Sequence, residues 1–301
     1  MSARTDVRGA IGDARDDAFE SLRVRASMAA RMFQQGRPAK LGRYVVGELL
    51  GRGGMGAVYA AFDPQLQRRV AIKVLAGEPS TAASAALHRE AEALAALSHP
   101  NVVTIYEVGW CAFGLFVVME LVEGVPLSTW LEQHPDPRQR FDAALELLIQ
   151  VGRGLAAAHG VGLVHRDVKP SNMLVGRDHD GSPRARVADF GLARLHQGGA
   201  SSSSPGGEMT PTAATHDRVG TPGYMSPEQI DGEPSDARSD QFSFCVTAFE
   251  ALFGGTPFVG DTLYKRRASI ERGPVRPQPR GAAQRKLADA RRGGLAEAPD
   301  R

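Results

Sequence analysis

The sequence predicts an α+β fold in two lobes, a small β-rich one followed by a larger helical one. Three observations predict it. Short apolar runs, bounded by turn residues, recur through residues 44–119 and are interrupted by one helical stretch. From Phe141 onward the apolar residues take up helical spacing instead. Between the two patterns lies a short connector, residues 120–124, that contains Glu123-Gly124.

The elements follow in order. Residues 1–43 are polar and Arg-rich with scattered apolar positions (Phe19, Leu22, Met28, Met32, Phe33), a pattern that fits a short amphipathic helix or a mobile lead. Tyr44-Val45-Val46 and Val58-Tyr59 flank a glycine-rich turn, and Val70-Ala71-Ile72-Lys73-Val74 is a third strand. Ala82 to Leu97 reads as a helix with Leu87, Ala91 and Leu94 on one face, closed by Ser98-His99-Pro100-Asn101. Val102 to Tyr106 and Leu115 to Met119 supply two more strands and complete the first lobe, 44–119. In the second lobe, 125–301, Phe141 to His159 carries Leu145, Leu148, Val151 and Leu155 at helical spacing, and Gln241 to Phe253 is a more apolar helix. The Ser/Thr/Gly-rich stretch between Leu195 and Val219 cannot bury enough apolar surface to order itself and reads as a mobile loop unless something pins it.

Composition narrows the class. The chain has 301 residues, 42% of them hydrophobic and 23% charged, enough for a sizeable core. A net charge of +2 does not point to nucleic acid. Cys111 and Cys245 are far apart and in no Cys-x-x-Cys arrangement, which suits buried thiols in a reducing, cytoplasmic setting. Arg, Asp and Glu interrupt the first thirty residues, so no secretory signal is expected. The apolar run Val108 to Val122 is broken by Gly109 and Gly114 and falls short of the roughly 20 residues of a membrane helix. A soluble protein without a membrane segment is the expectation.

Chemistry is concentrated in a few motifs. Gly51-Arg52-Gly53-Gly54-Met55-Gly56-Ala57-Val58 fits G-x-G-x-x-G-x-V, and a strand follows it. A dinucleotide fold would need a helix there, and a P-loop would need Gly-Lys-Ser/Thr. Glycines that close a strand–turn–strand flap let backbone amides approach phosphate oxygens, with Leu50 to Gly56 as the flap. Lys73, one strand on, can reach α- and β-phosphates if a carboxylate holds it; Glu90 is preferred over Glu92, which should face solvent. His165-Arg166-Asp167-Val168-Lys169-Pro170-Ser171-Asn172 places an acid, a base and an amide in one loop. Asp167 can deprotonate a hydroxyl, Lys169 can neutralise a γ-phosphoryl group, and Asn172 can ligate magnesium. Asp189-Phe190-Gly191 follows at the span of a short β-hairpin and offers a second hard oxygen ligand.

With Val219-Gly220-Thr221-Pro222-Gly223-Tyr224-Met225-Ser226-Pro227-Glu228 added, the chain resembles the protein kinase superfamily. More narrowly, it resembles the eukaryotic-like serine/threonine kinases of bacteria, from about Tyr44 to about Pro257. The resemblance implies a two-lobed kinase fold with lobes at 44–119 and 125–301, a hinge at 120–124 and an activation segment at 189–228. It implies that Met119 is the gatekeeper, that the backbone of Glu120, Leu121 and Val122 pairs with adenine, and that Val58, Ala71 and Leu174 sandwich the ring. Asp240 would hold the catalytic loop backbone, Glu228 would pair with a late arginine, and Thr221 would hydrogen-bond Asp167 and Lys169. The implied activity is transfer of the γ-phosphate of ATP, with Mg2+ or Mn2+, to Ser/Thr hydroxyls of proteins, this chain among them. Dimerisation for trans-autophosphorylation belongs to the same expectation, with Thr215 and then Thr212 ahead of Thr210 as acceptors answering to Arg166.

The resemblance weakens after Pro257-Phe258. Residues 265–301 hold 11 Lys/Arg against 4 Asp/Glu and read as a solvated basic face, with the second lobe cut short and Arg301 as the remaining partner for Glu228. A pseudokinase or scaffold is the rival reading, although Lys73, Asp167 and Asp189 are all present. A small-molecule phosphotransferase would generally lack the Gly220 to Glu228 segment.

Overall fold

The computed structural model describes residues 39–53, 56–76, 96–111, 114–178, 180–190 and 222–275. They divide between two compact units, one within Met1–Pro79 and Tyr106–Leu121, the other within Ser80–Ile105 and Val122–Arg301.

The first unit is a six-stranded sheet of β1 (Lys40–Leu41), β2 (Tyr44–Gly53), β3 (Gly56–Asp63), β4 (Arg68–Ala76), β5 (Ile105–Cys111) and β6 (Gly114–Glu120), in the order β1-β2-β3-β4-β6-β5. Its register follows from which face each side chain must bury. Val58 and Val117 lie opposite Lys73, and Ala60 and Met119 lie opposite Ala71. Since side chains alternate along a strand, Val58, Ala71, Lys73 and Met119 share one face. The other face carries the core cluster of Tyr44, Ala61, Val70, Ile72, Phe116 and Val118. Gly56 opens β3 at φ +138°, and a Cβ there would stand 2.0 Å from the Val74 carbonyl oxygen. Only glycine lets β3 start this close to β4.

Among the described residues, the second unit joins a three-stranded sheet, β7 (Gly124–Pro126), β8 (Met173–Arg177) and β9 (Pro183–Val187), to five helices. These are α1 (Leu127–Gln133), α2 (Phe141–Gly160), α3 (Pro227–Asp231), α4 (Ala237–Phe253) and α5 (Leu263–Glu271). Helix α2 buries Phe141, Ala144, Leu147, Leu148, Val151, Leu155 and Ala158 against β9 and α4. Each large side chain on that stripe contributes about 1.5–3 kcal/mol relative to exposure. Arg140, just before α2, is 7% exposed and satisfies backbone carbonyls: it donates to Ala251 at 2.9 Å and His134 at 2.6 Å. These groups lie near the C-terminal ends of α4 and α1, where unpaired carbonyls attract a cation.

Three expectations change. The strand expected from Val102 begins at Ile105 instead, because Val102 and Val103 belong with β9. Val103 N donates to Val187 O and Val187 N to Asn101 O, each at 2.9 Å, and the buried Asn101 side chain donates to Ala185 O. Helix α4 starts at Ala237, four residues before Gln241, since Asp236 and Ser239 form a capping box. The basic face expected from Lys265 onward begins as α5, whose Ile270 packs with Phe242, Val246, Phe249 and Phe258. There Arg266 is buried and Arg267 pairs with Asp231 at 3.0 Å. The expected helix at Ala82–Leu97, apart from its last residues, and the stretch 276–301 with Arg301 lie outside the described residues.

Gly154, in mid-α2, reverses the usual preference. Alanine normally strengthens a helix, but a Cβ here would meet the Asn101 carbonyl oxygen at 2.4 Å. Gly154→Ala should therefore destabilise the second unit by about 1–3 kcal/mol, read as a lower thermal midpoint. An unchanged or higher midpoint would show that the backbone at Asn101 yields freely.

Candidate active site

The loop from His165 to Asn172 has no regular hydrogen bonding of its own until the 3-10 turn Pro170–Asn172. Side chains from elsewhere shape it. Asp240, 1% exposed on α4, accepts from His165 N and Arg166 N, each at 2.7 Å, and contacts His159 Nε2 at 2.8 Å. His165 is fully buried; its Nδ1 accepts from Asp167 N at 3.2 Å, so its proton is on Nε2, which donates to Ala188 O at 2.8 Å. The Phe190 ring lies against it, centroids 4.7 Å apart. Arg166 (φ 65°) and Asp189 (φ 62°) both adopt the left-handed region; among the described residues the other non-glycine to do so is Gln67, in the β3–β4 turn. Such strain persists only where the surroundings over-determine it. Asp240 and His165 supply those surroundings.

The Asp167 carboxylate is held on one side. Oδ2 pairs with Lys169 Nζ at 2.7 Å and accepts from Asn172 Nδ2 at 3.1 Å. Among the described residues both contacts fall on Oδ2, which leaves Oδ1 to receive a proton. Asn172, 8% exposed, donates the same amide to Asp167 O at 2.8 Å. Both partners are acceptors, so the nitrogen must face them and Oδ1 of Asn172 is the atom left for a cation. Ala188 N donates to Asn172 O at 2.9 Å, which sets Asp189 next in chain beside it. An amide oxygen and a carboxylate are hard donors that fit magnesium, which keeps water and substrate phosphate in its remaining positions. Among the described residues no cluster of three or more His, Cys, Asp or Glu forms a closed metal cage.

In the first unit, Val58, Ala71, Lys73 and Met119 lie on the common face described above, with Gly51 opposite Val58 and Gly53 opposite Gly56. Lys73 is 6% exposed and engaged, as a buried ammonium must be. Leu50 and Arg52 are exposed, and Glu120 is half-buried opposite Val70. In the second unit, Val122 is half-buried, and Leu174 pairs with Pro126 and Arg186 across the sheet. Gly54, Met55, Glu90, Gly191, Thr210, Thr212, Thr215 and Thr221 lie outside the described residues.

The segment after Thr221 is tied down firmly. Ser243 Oγ donates to Tyr224 O at 2.7 Å, Tyr224 OH donates to Glu250 at 2.6 Å, and Arg266 donates to Gly223 O. Burial, then the Glu250 contact, pushes the Tyr224 phenol far above its usual range, so it remains a donor. Glu228 accepts from Ser239 Oγ. Two residues escaped the sequence reading. His159 was detectable as a polar residue at the end of the apolar face of α2; Gln229 follows the Ser-Pro-Glu motif and carried no signal of its own.

A model of the protein kinase domain matches residues 44–279, past the Pro257 boundary at which the motifs lose definition. A probable serine/threonine-protein kinase of Streptomyces coelicolor is 39% identical over 234 residues, 75% of this chain and 32% of that protein. The serine/threonine-protein kinase pkn2 of Myxococcus xanthus is 43% identical over 222 residues, 73% of this chain and 25% of that one. For the serine/threonine-protein kinase PknB of Mycolicibacterium smegmatis the values are 38% over 226 residues, 73% and 34%. The chain thus spans about a quarter to a third of the length of the curated relatives it matches. Among the described residues no helix is long and apolar enough to cross a membrane.

Proposed function

The chain belongs to the protein kinase family, of the serine/threonine type found in bacteria, and on that premise we propose that it transfers the γ-phosphate of ATP to serine and threonine hydroxyls of proteins. The observation that carries the reading is the one-sided restraint of Asp167, whose Oδ2 is held by Lys169 and Asn172. Asp167 Oδ1 accepts the proton of the substrate hydroxyl as its oxygen attacks the γ-phosphorus. The bond from that phosphorus to the β,γ-bridging oxygen breaks, and ADP leaves with the bond's electron pair. Lys169 offsets charge on the transferring group while it orients Asp167, which is why positioning and charge supply most of the catalysis.

The remaining assignments rest on the family motifs. Lys73, held by Glu90, neutralises the α- and β-phosphates under the flap Leu50 to Gly56, and Thr221 aligns the acceptor with Asp167 and Lys169. Val58, Ala71 and Leu174 sandwich adenine behind Met119, with Glu120 and Val122 offering backbone groups. Asn172 Oδ1 and the Asp189 carboxylate hold Mg2+, or Mn2+ in its place, which when bound neutralises phosphate charge. We assign the activity to the cytoplasm, where ATP is abundant and thiols stay reduced; Cys111 and Cys245 form no disulfide. Protein substrates include a second copy of this chain, met through transient dimerisation, with Thr215 and Thr212 as favoured acceptors.

The test is direct. Purified protein incubated with γ-labelled ATP and Mg2+ should place label on serine or threonine of itself and of a generic protein acceptor, and chelation of the metal should stop it. Label confined to tyrosine, or transfer only to small molecules, would overturn the reading.

A further inference from the structure

We infer that Gln229 is a positioning residue for Asp167, acting through the backbone carbonyl of Arg166; the inference rests on the kinase reading above. Gln229 sits on α3, immediately past the Ser226-Pro227-Glu228 triplet. Its amide works in two directions. Oε1 accepts from Ser226 N at 3.0 Å and from Ser226 Oγ at 3.2 Å. Nε2 donates to Arg166 O at 2.7 Å, across 63 positions of sequence.

Arg166 is the residue for which this contact matters. It holds φ 65°, unfavourable for a long side chain, and it directly precedes the base. Its N–H is fixed by Asp240 Oδ1 at 2.7 Å and its carbonyl by Gln229. Both peptide planes flanking Arg166 are therefore held by side chains, one from α4 and one from α3. Rotation of the second plane would swing the Asp167 backbone, and with it Oδ1. Helix α3 closes the activation segment, so Gln229 links that segment to the catalytic loop by a contact that needs no phosphate on the segment.

Gln229→Glu separates this role from simple capping. Glutamate is isosteric and keeps an oxygen for Ser226 N and Oγ, but it has no donor for the Arg166 carbonyl and sets a carboxylate oxygen against it. At pH 7.5 the expected result is a fall in kcat on the order of ten- to hundred-fold, as for small displacements of a catalytic group. KM for ATP should stay within about two-fold and the thermal midpoint within a few degrees, since the capping contacts survive. As pH falls toward the ordinary glutamate range, about 4.3, the protonated carboxyl regains a donor, so the ratio of variant to wild-type kcat should rise. Gln229→Met, which loses both functions, should lower kcat and the thermal midpoint together, with no such pH recovery. A Gln229→Glu protein with wild-type kcat, or with kcat lost in step with its thermal midpoint and flat in pH, overturns the inference alone. A wild type that transfers no phosphate overturns the kinase reading and this inference with it.

Discussion

Asp167→Asn is expected to lower phosphate transfer to a protein serine or threonine by about 10²- to 10⁴-fold, the usual contribution of a positioned general base. The geometry makes the amide a poor substitute. Lys169 and Asn172 both donate toward Oδ2, so an asparagine at 167 must turn its oxygen to them. Its NH2 then occupies the place of Oδ1, where the substrate hydroxyl needs an acceptor. Binding of nucleotide should change little, because no phosphate contact is removed. Single-turnover transfer with nucleotide titrated in parallel checks both statements. Wild-type turnover in this variant would remove Asp167 from the mechanism.

Asp240→Ala should have the largest effect on stability. It strips the acceptor from two backbone amides, His165 N and Arg166 N, and from His159 Nε2. Unsatisfied buried groups cost about 1–3 kcal/mol each, so a loss on the order of 3–5 kcal/mol is expected. For a unit of this size that corresponds to a thermal midpoint lower by roughly 6–20 °C. Asp240→Asn should recover little, because an amide has one acceptor oxygen and would turn its NH2 against a backbone N–H. Calorimetry of both variants measures this, and a small shift for Asp240→Ala would mean the amides find other partners. Activity should fall with stability here, whereas Gln229→Glu should move activity alone.

Much of this was legible in the chain, for identifiable reasons. Asp167, Lys169, Asn172 and Asp189 occur close together in sequence, so spacing alone brings them near one another, and the hairpin β8–β9 supplies the rest. The strand ladder of the first unit was legible through Val70 to Val74 because apolar residues in strands announce themselves. Val102 and Val103 misled because equally apolar residues pair with Val187, some eighty positions away, and periodicity carries no record of a distant partner. Two buried arginines were invisible for a related reason. Arg140 and Arg266 are 7% and 2% exposed, yet a sequence reading assigns arginine to the surface, since it cannot see the helix-end carbonyls or the Gly223 carbonyl waiting for a donor. Gln229 was missed because one amide gains its meaning only from a carbonyl 63 positions earlier.

The tie between Asp240 and His165 N spans 75 positions. That distance sets an order of events on the ribosome. A nascent chain halted before α4 already carries Lys73, the proposed base and both proposed magnesium ligands, yet it lacks the Asp240 carboxylate that receives His165 N and Arg166 N. The loop around Asp167 therefore gains its fixed backbone only once α4 has been made, however long the protein that carries it. A shortened protein with every signature letter intact can still be born without a working base.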